Sequence, residues 1–178
     1  MFEIRAERAE DAAEVEALVA ASFGPGRFAK SAYRFREGVK PLAELSFVAM
    51  DGGALRGSVR FWPVYVGAAP ALLLGPLAVE ARLRGRGIGI ALMNQGIDEA
   101  RRLGHTAILL VGDLPYYARV GFSPLPRGSV RFPGPVDPAR ILGLALQEGA
   151  LETLAGALRR ARLDDPIAAD GVGSGPSP

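Results

Sequence analysis

A glycine- and arginine-rich turn is the feature of the sequence with the clearest chemistry. It reads Arg84-Gly85-Arg86-Gly87-Ile88-Gly89 and lies between an apolar run and an amphipathic run. Glycines let the backbone come close to a ligand, and the first N–H groups of a helix have no partner within that helix. Because the helix dipole and the arginines, Arg82 included, add positive potential, the turn is predicted to bind an anion such as a diphosphate.

Two common phosphate-binding motifs do not describe this turn. The Walker motif needs Gly-Lys-Ser/Thr at its end, whereas Ile88, Gly89 and Ile90 stand here. The dinucleotide-binding spacing Gly-x-Gly-x-x-Gly also fails, because the glycines stand at positions 85, 87 and 89 and no acidic residue ends a strand about twenty residues later. The turn is therefore a phosphate-binding candidate of another type.

The flanking sequence places the turn between a buried strand and a helix. Ala71 to Val79 is almost continuously apolar, as expected of a strand that is covered on both faces. Gly87 to Leu103 carries its apolar residues on one side at helical spacing, and Gly104 ends the pattern. Because Thr106 to Val111 is apolar again, the sequence predicts a right-handed strand–helix–strand unit.

Further elements are predicted on both sides of this unit. They are a strand at Phe2–Ala6, a helix capped by Asp11 that runs through Ala21, strands at Leu45–Met50 and Ala54–Val66, and a short helix at Asp113–Val120. The run Ile141 to Gln147 fits a strand or a helix, and Arg27 to Glu37 fits a helix or a loop. We expect one domain over residues 1–163 and a disordered tail over residues 164–178.

Composition limits the classes of function. The 178 residues, 49% hydrophobic and 22% charged, suit one globular domain. The absence of cysteine excludes thiolate metal sites and cysteine nucleophiles, and the single histidine, His105, excludes two-histidine metal motifs. A net charge of +2, with basic residues dispersed among acids, does not favour nucleic-acid binding. The mixed-charge amino terminus and the prolines within the uncharged run from Phe61 to Val79 lead us to expect a cytoplasmic protein without a membrane span.

Two separated motifs resemble those of the GNAT superfamily of acetyl-CoA-dependent N-acetyltransferases. The turn from Arg84 to Gly89 is similar to the family pattern Gln/Arg-x-x-Gly-x-Gly/Ala after a central strand. Tyr116 to Phe122 is similar to the family's aromatic-Tyr-x-x-x-Gly-Phe segment. The resemblance covers about Met1 to Pro124, and Gly112 to Tyr117 with the later Gly-Pro-Val-Asp-Pro stretch most resembles the YhbS-like group of predicted acetyltransferases. It implies an α/β (α+β) acyl-CoA N-acyltransferase fold, with a mixed, mostly antiparallel sheet of about six to seven strands flanked by helices.

The resemblance also implies how acetyl-CoA binds as the cosubstrate, with no metal. The pantetheine arm would lie between two central strands that part, and a backbone amide near Val79 would polarise the thioester carbonyl. The cofactor-binding residues that it implies are Leu77, Ala78 and Val79 for the arm and Arg84, Gly85, Arg86, Gly87, Ile88, Gly89 and Ile90 for the diphosphate.

The resemblance identifies a general acid but no general base. Tyr117 matches the family tyrosine that reaches the sulfur, and a phenol is protonated at neutral pH, so Tyr117 is the expected general acid. Some relatives carry a glutamate base in the central strand, where Leu73 and Leu74 stand here. Glu80, Asp113 or water therefore remain as the base, although Glu80 could be only solvated and Asp113 only a helix cap.

The resemblance predicts transfer of an acetyl group from acetyl-CoA to a primary amine of a small molecule or peptide. Use of a longer acyl-CoA, or a non-catalytic CoA-binding or regulatory module, are the alternatives. Arg27 to Leu42 and Arg127 to Pro138 are expected to shape the acceptor pocket. The arginines of the first of these segments, Arg27, Arg34 and Arg36, either help an acidic acceptor dock or form a solvated face. No nucleic-acid or membrane partner is expected, and a homodimer is left open.

Overall fold

The computed structural model describes residues 1–25 and 36–161. The predicted tail at residues 164–178 lies outside these residues, as does the segment from Arg27 to Glu37 except for its last two positions. Within the described ranges, no helix combines the length and the apolar composition needed to cross a membrane.

Strands dominate the described part of the chain. In chain order the strands are β1 (Glu3–Ala6), β2 (Ser46–Asp51), β3 (Ala54–Val66), β4 (Ala69–Val79), β5 (Ala107–Val111), β6 (Ser123–Pro124), β7 (Val130–Arg131), β8 (Ile141–Ala145) and β9 (Gly156–Arg160). The α-helices are α1 (Ala12–Phe23), α2 (Ile88–Arg102) and α3 (Leu114–Tyr117). The run from Ile141 to Gln147, which fits a strand or a helix by sequence, thus forms a strand over Ile141–Ala145.

The strands form one sheet in the order β1-β2-β3-β4-β5-β8-β6, and β9 pairs with both β3 and β7. Neighbours are antiparallel except for the β4–β5 and β7–β9 pairs, which are parallel. Because β4, α2 and β5 follow one another and β4 lies beside β5, the predicted strand–helix–strand unit is confirmed. The expected mixed, mostly antiparallel sheet is confirmed as well.

Helices α1 and α2 pack on opposite faces of this sheet. Side chains alternate across a strand, and in β2 Phe47 packs with α2 whereas Val48 packs with α1. The α2 face holds the largest apolar cluster, in which Phe61 of β3 is fully buried. A further cluster contains Trp62 and Leu73, so Trp62 packs in the core as its position in a strand predicts. The sheet core fixes where both ends of α2 lie.

Asp11 precedes α1 as predicted but does not cap it. Its carboxylate makes no hydrogen bond to the first turn of the helix. It instead accepts hydrogen bonds from Arg5 Nη1 and Nη2, at 2.7 and 2.9 Å, and from the Arg8 backbone N–H at 2.7 Å. The Arg5 guanidinium holds the pKa of Asp11 down at about 2. The prediction of a capping aspartate was therefore wrong, because a nearby arginine on β1 binds the carboxylate.

A buried arginine fastens α1 to the sheet. Arg60 of β3 donates to Glu7 Oε1 at 2.5 Å and Oε2 at 2.9 Å, and to Glu16 Oε1 at 2.7 Å. Its side chain and that of Glu7 are each only 10% exposed. Because Glu16 belongs to α1, this ion-pair cluster joins α1 to β3.

Candidate functional site

The two central strands separate over the last part of β4. Their parallel pairing is limited to Leu72 with Ile108 and Leu73 with Leu109. Beyond this point Gly75 and Pro76 interrupt the register between β4 and β3. Because proline has no N–H to donate and a bulge bends the strand that carries it, β4 leaves β5 here while it stays paired with β3. The sheet is therefore open on one edge of β4 from this bulge onward.

Backbone groups of β4 face that opening. The Glu80 N–H donates to the Arg56 carbonyl at 2.9 Å, and Gly57 lies opposite Val79. Because hydrogen-bonded and non-hydrogen-bonded pairs alternate in an antiparallel ladder, Ala78 bonds to β3, whereas Leu77 and Val79 direct their N–H and C=O groups away from it. These groups can form ladder-like hydrogen bonds with an extended ligand.

A cleft of about 380 Å³, here called cleft A, runs from this edge to the start of α2. Seven of the residues predicted to bind the cofactor line it, namely Leu77, Ala78, Val79, Arg84, Gly85, Ile88 and Gly89. Arg86, Gly87 and Ile90 do not line it, and they lie in the turn or in the first helical turn beside it. The Ile88 side chain is buried in the core, so this residue offers cleft A its backbone.

Two glycines of the turn have a backbone conformation that other residues rarely adopt. Gly85 and Gly87 have φ of +82° and +84°, and a Cβ at either would meet nothing within 4 Å. The first bond of the helix runs from the Ala91 N–H to the Gly87 carbonyl, at 2.9 Å. Within residues 1–25 and 36–161, the N–H groups of Ile88, Gly89 and Gly87 donate to no carbonyl. The start of α2 therefore presents unpaired donors, which suits a diphosphate.

The arginines of the turn differ in their partners. Arg84 and Arg86 are exposed, and no carboxylate in the described ranges pairs with either. Arg82 instead donates through Nε to Glu80 Oε1. Of the arginines expected to add positive potential, Arg82 is therefore paired with a carboxylate, and Arg84 and Arg86 remain available to an anion.

Glu80, one of the predicted bases, is held by two arginines. Its Oε1 accepts from Arg82, and its Oε2 accepts from Arg56 Nη1 at 2.6 Å. Both hydrogen bonds, that from Arg82 first, lower the pKa of Glu80 and make it a weaker base. Its side chain lines neither cleft A nor the second cavity described below. This geometry argues against Glu80 as the group that accepts a proton from substrate.

Tyr117 stands on α3, just after β5, with its ring pressed against the backbone. A Cβ at Gly112 would lie 2.3 Å from Tyr117 Cε2, so only glycine leaves room for the ring. Phe122 meets the ring edge-on, with centroids 6.1 Å apart. Burial, reinforced by the neighbouring Tyr116 and Asp113, raises the pKa of Tyr117 to about 12. Its hydroxyl therefore carries a proton at neutral pH.

Tyr116, the first aromatic residue of the second motif, also reaches cleft A. Its ring meets that of Tyr117 edge-on at 5.1 Å. A Cβ at Gly89 would lie 2.2 Å from the Tyr116 hydroxyl oxygen, so the hydroxyl lies against the first turn of α2. The two adjacent tyrosines are visible in the sequence. Only the fold shows that Tyr116 lies against Gly89 and Tyr117 against Gly112.

A second cavity of about 460 Å³, here called cleft B, lies on the other side of Tyr117. Four charged residues line it, namely Arg36, Asp113, Asp137 and Arg140. Asp113 Oδ1 lies 3.4 Å from Arg140 Nε, and Asp113 makes no side-chain bond that caps α3. Asp137 accepts a hydrogen bond from the Ala139 N–H at 2.9 Å. Cleft B therefore offers both signs of charge to a polar ligand.

The two clefts meet at Phe23, Leu77 and Tyr117, which line both. A ligand that extends along cleft A would thus bring its end beside Tyr117, next to a second molecule in cleft B. His105 lines neither cleft; burial lowers its pKa. In the described ranges, no three His, Asp or Glu residues lie close enough together to hold a metal ion. The arrangement suits group transfer between two bound molecules.

Comparison with known proteins agrees with this geometry. The model of the Acetyltransferase (GNAT) family matches residues 12–122. The "Uncharacterized N-acetyltransferase YhbS" of Escherichia coli K12 is 35% identical over 122 residues, which are 67% of this chain and 72% of that protein. The crystal structure of Escherichia coli YhbS in complex with CoA has a TM-score of 0.75 and 30% identity, and covers 90% of this chain and 89% of that one. A Brucella melitensis GNAT family acetyltransferase in complex with acetyl-CoA has a TM-score of 0.64 and 30% identity, with 83% and 89% covered. As its two motifs predict, the chain belongs to the GNAT acetyltransferase family.

Proposed function

We propose that this protein transfers the acetyl group of acetyl-CoA to a primary amine while both substrates are bound. One observation carries the proposal. Cleft A, with its unpaired backbone donors, and cleft B, with its charged lining, share the Tyr117 side chain and Leu77. Acetyl-CoA in cleft A and an amine in cleft B would therefore meet at a protonated phenol.

Two features of cleft A support CoA as its ligand. The N–H groups of Gly87, Ile88 and Gly89 can donate hydrogen bonds to diphosphate oxygens, and Arg84 and Arg86 add positive charge beside them. The edge of β4 can bind the amide groups of the pantetheine arm as a further strand would. The related structures from Escherichia coli and Brucella melitensis, each 30% identical, hold CoA and acetyl-CoA respectively.

The transfer step needs a neutral amine, support for the carbonyl oxygen and a proton for sulfur. The amine nitrogen forms a bond to the thioester carbon, and the carbon–sulfur bond breaks with its electron pair on sulfur. The Val79 N–H points away from β3, and we propose that it donates to the carbonyl oxygen, on which negative charge develops. The Tyr117 hydroxyl gives its proton to sulfur, and the proton lost by the amine passes to solvent or to a carboxylate.

Asp113 is the carboxylate that we propose in place of Glu80. It lines cleft B, where the amine would bind, and its charge is one cause of the raised pKa of Tyr117, so the two groups lie near each other. Its pairing with Arg140 at 3.4 Å is longer than the 2.6 Å hydrogen bond that holds Glu80 to Arg56. Water between the amine and Asp113 would carry the proton over any remaining gap.

A panel of primary amines tests the proposal, with release of CoA as the readout. Small-molecule amines, peptides with unblocked amino termini and lysine peptides are each offered with acetyl-CoA. At least one is expected to release CoA, and Tyr117→Phe should lower kcat by about 100-fold or more, as for loss of a general acid. An unchanged kcat in Tyr117→Phe would remove the tyrosine from this role.

A non-catalytic CoA-binding module is the second candidate. The buried Leu73 and Leu74 favour it, because no carboxylate stands where some relatives carry their base. This candidate predicts that CoA raises the melting temperature while no amine in the panel releases CoA. Repeating the assay with longer acyl-CoA substrates separates both outcomes from an enzyme that uses a larger acyl group.

A further inference from the structure

We propose that the Tyr116 hydroxyl is a further CoA-binding group, which donates a hydrogen bond to the diphosphate, and that Gly89 is glycine in order to make room for it. The inference rests on the proposed role of cleft A. It gives a ligand-binding role to Tyr116, the first aromatic residue of the second motif.

The position of the hydroxyl carries the inference. Tyr116 lines cleft A, where CoA would bind, and does not line cleft B. The hydroxyl oxygen lies 2.2 Å from where a Cβ of Gly89 would be. Gly89 is in the first turn of α2, where backbone donors lack partners within the described ranges. A hydroxyl at this point adds one donor to that set.

The ring of Tyr116 is held in place, so the hydroxyl has a defined direction. One contact is the edge-on meeting with Tyr117 at 5.1 Å, and the other is the Arg119 guanidinium at 5.9 Å from the ring centroid. Neither contact engages the hydroxyl, and no group in residues 1–25 or 36–161 forms a hydrogen bond with it. Burial raises the pKa of Tyr116, so the hydroxyl keeps its proton at neutral pH.

Gly89 supplies a second line of argument. An alanine Cβ there would lie 2.2 Å from the tyrosine oxygen but 3.6 Å from Cζ and 3.7 Å from Leu77 Cδ2. The last two distances are ordinary contacts, and Gly89 has no positive φ. The hydroxyl oxygen alone therefore makes alanine unacceptable, although the family pattern allows alanine at this place.

The first experiment measures CoA binding by calorimetry for wild type, Tyr116→Phe and the control Tyr65→Phe. Tyr65 lies in β3 and lines neither cleft. Tyr116→Phe is expected to raise the Kd for CoA about tenfold or more, as for loss of a hydrogen bond to a charged group. Tyr65→Phe should leave the Kd within about twofold.

A competition arm distinguishes the diphosphate from the arm of CoA. Pantetheine has no phosphate, so its inhibition constant against acetyl-CoA should be the same in wild type and Tyr116→Phe. An equal loss for pantetheine and CoA would overturn the assignment to the diphosphate. An unchanged Kd for CoA in Tyr116→Phe would overturn the inference alone, whereas a wild-type chain that does not bind CoA would overturn the proposed function and this inference with it.

The second experiment tests Gly89 with a double-mutant cycle. Gly89→Ala is expected to weaken CoA binding at least as much as Tyr116→Phe, because the added methyl displaces the hydroxyl. In Tyr116→Phe the same methyl meets the ring carbon at 3.6 Å and Leu77 Cδ2 at 3.7 Å, both ordinary contacts, so the double variant should match Tyr116→Phe within about twofold. Further weakening in the double variant would contradict the assigned role of Gly89. If Gly89→Ala does not fold, the Kd of the double variant compared with that of Tyr116→Phe still tests the role of Gly89.

Discussion

Gly112→Ala is expected to lower turnover by moving Tyr117. The alanine Cβ would lie 2.3 Å from Tyr117 Cε2, 2.9 Å from Cδ2 and 3.2 Å from Leu110 Cδ1. Since ordinary contacts begin at about 3.4 Å, the ring must retreat by about 1 Å. Gly112 has no positive φ, so alanine strains the site through the ring and not through its own backbone.

The expected loss follows from this displacement. Misplacing a catalytic group by about 1 Å costs about 100-fold in rate, while the crowding itself costs about 1–3 kcal/mol of stability. Steady-state kcat with acetyl-CoA and an accepted amine gives the first quantity, and denaturant unfolding gives the second. CoA binding should persist, because Gly112 lines cleft B and not cleft A.

The matched control is the same substitution in a Tyr117→Phe background. The phenylalanine ring still meets the new methyl, but no hydroxyl remains to be misplaced. The double variant should therefore have the kcat of Tyr117→Phe. A Gly112→Ala enzyme within twofold of wild type, or a further large loss in the double variant, would refute the reasoning that the position of Tyr117 limits turnover.

Two further predictions concern stability. Asp11→Asn should lower the free energy of unfolding at pH 7 by about 1–3 kcal/mol, because Arg5 loses its carboxylate partner. The native pKa of Asp11, lowered from 3.8 to about 2, means that this contribution is complete above about pH 5 and is lost as the pH falls. Denaturant titrations of the two proteins should therefore converge near pH 2, and a constant gap would contradict this. Gly96→Ala places a Cβ 2.3 Å from Phe61 Cε2 and should cost about 1–3 kcal/mol, whereas an unchanged denaturation midpoint would show that the α2 face tolerates the methyl.

Long periodic segments made the centre of the fold predictable. The helix expected from Gly87 to Leu103 forms from Ile88 to Arg102, and the apolar run from Ala71 forms most of β4. In both places a single pattern of burial extends over many residues and ends at a glycine or a charged residue. The parallel placement of β4 and β5 then follows from the helix between them.

Contacts between distant parts of the chain were not predictable in the same way. Strand β9 pairs with Val64 to Val66 of β3, and nothing in its own short sequence indicates that partner. Of the two arginines that hold Glu80, Arg56 stands 24 positions away on another strand, so the sequence did not show that both carboxylate oxygens are engaged. The contact between Tyr116 and Gly89 likewise depends on how α3 meets α2. Motifs locate the site, but the register and the packing decide what each side chain does.

A crystal structure of this protein with bound CoA tests the central claim most directly. We expect diphosphate oxygens at about 2.7–3.2 Å from the nitrogens of Ile88 and Gly89, the arm beside Val79, and the sulfur within hydrogen-bonding reach of the Tyr117 hydroxyl. CoA bound with its diphosphate away from the start of α2, or with its sulfur remote from Tyr117, would contradict the account.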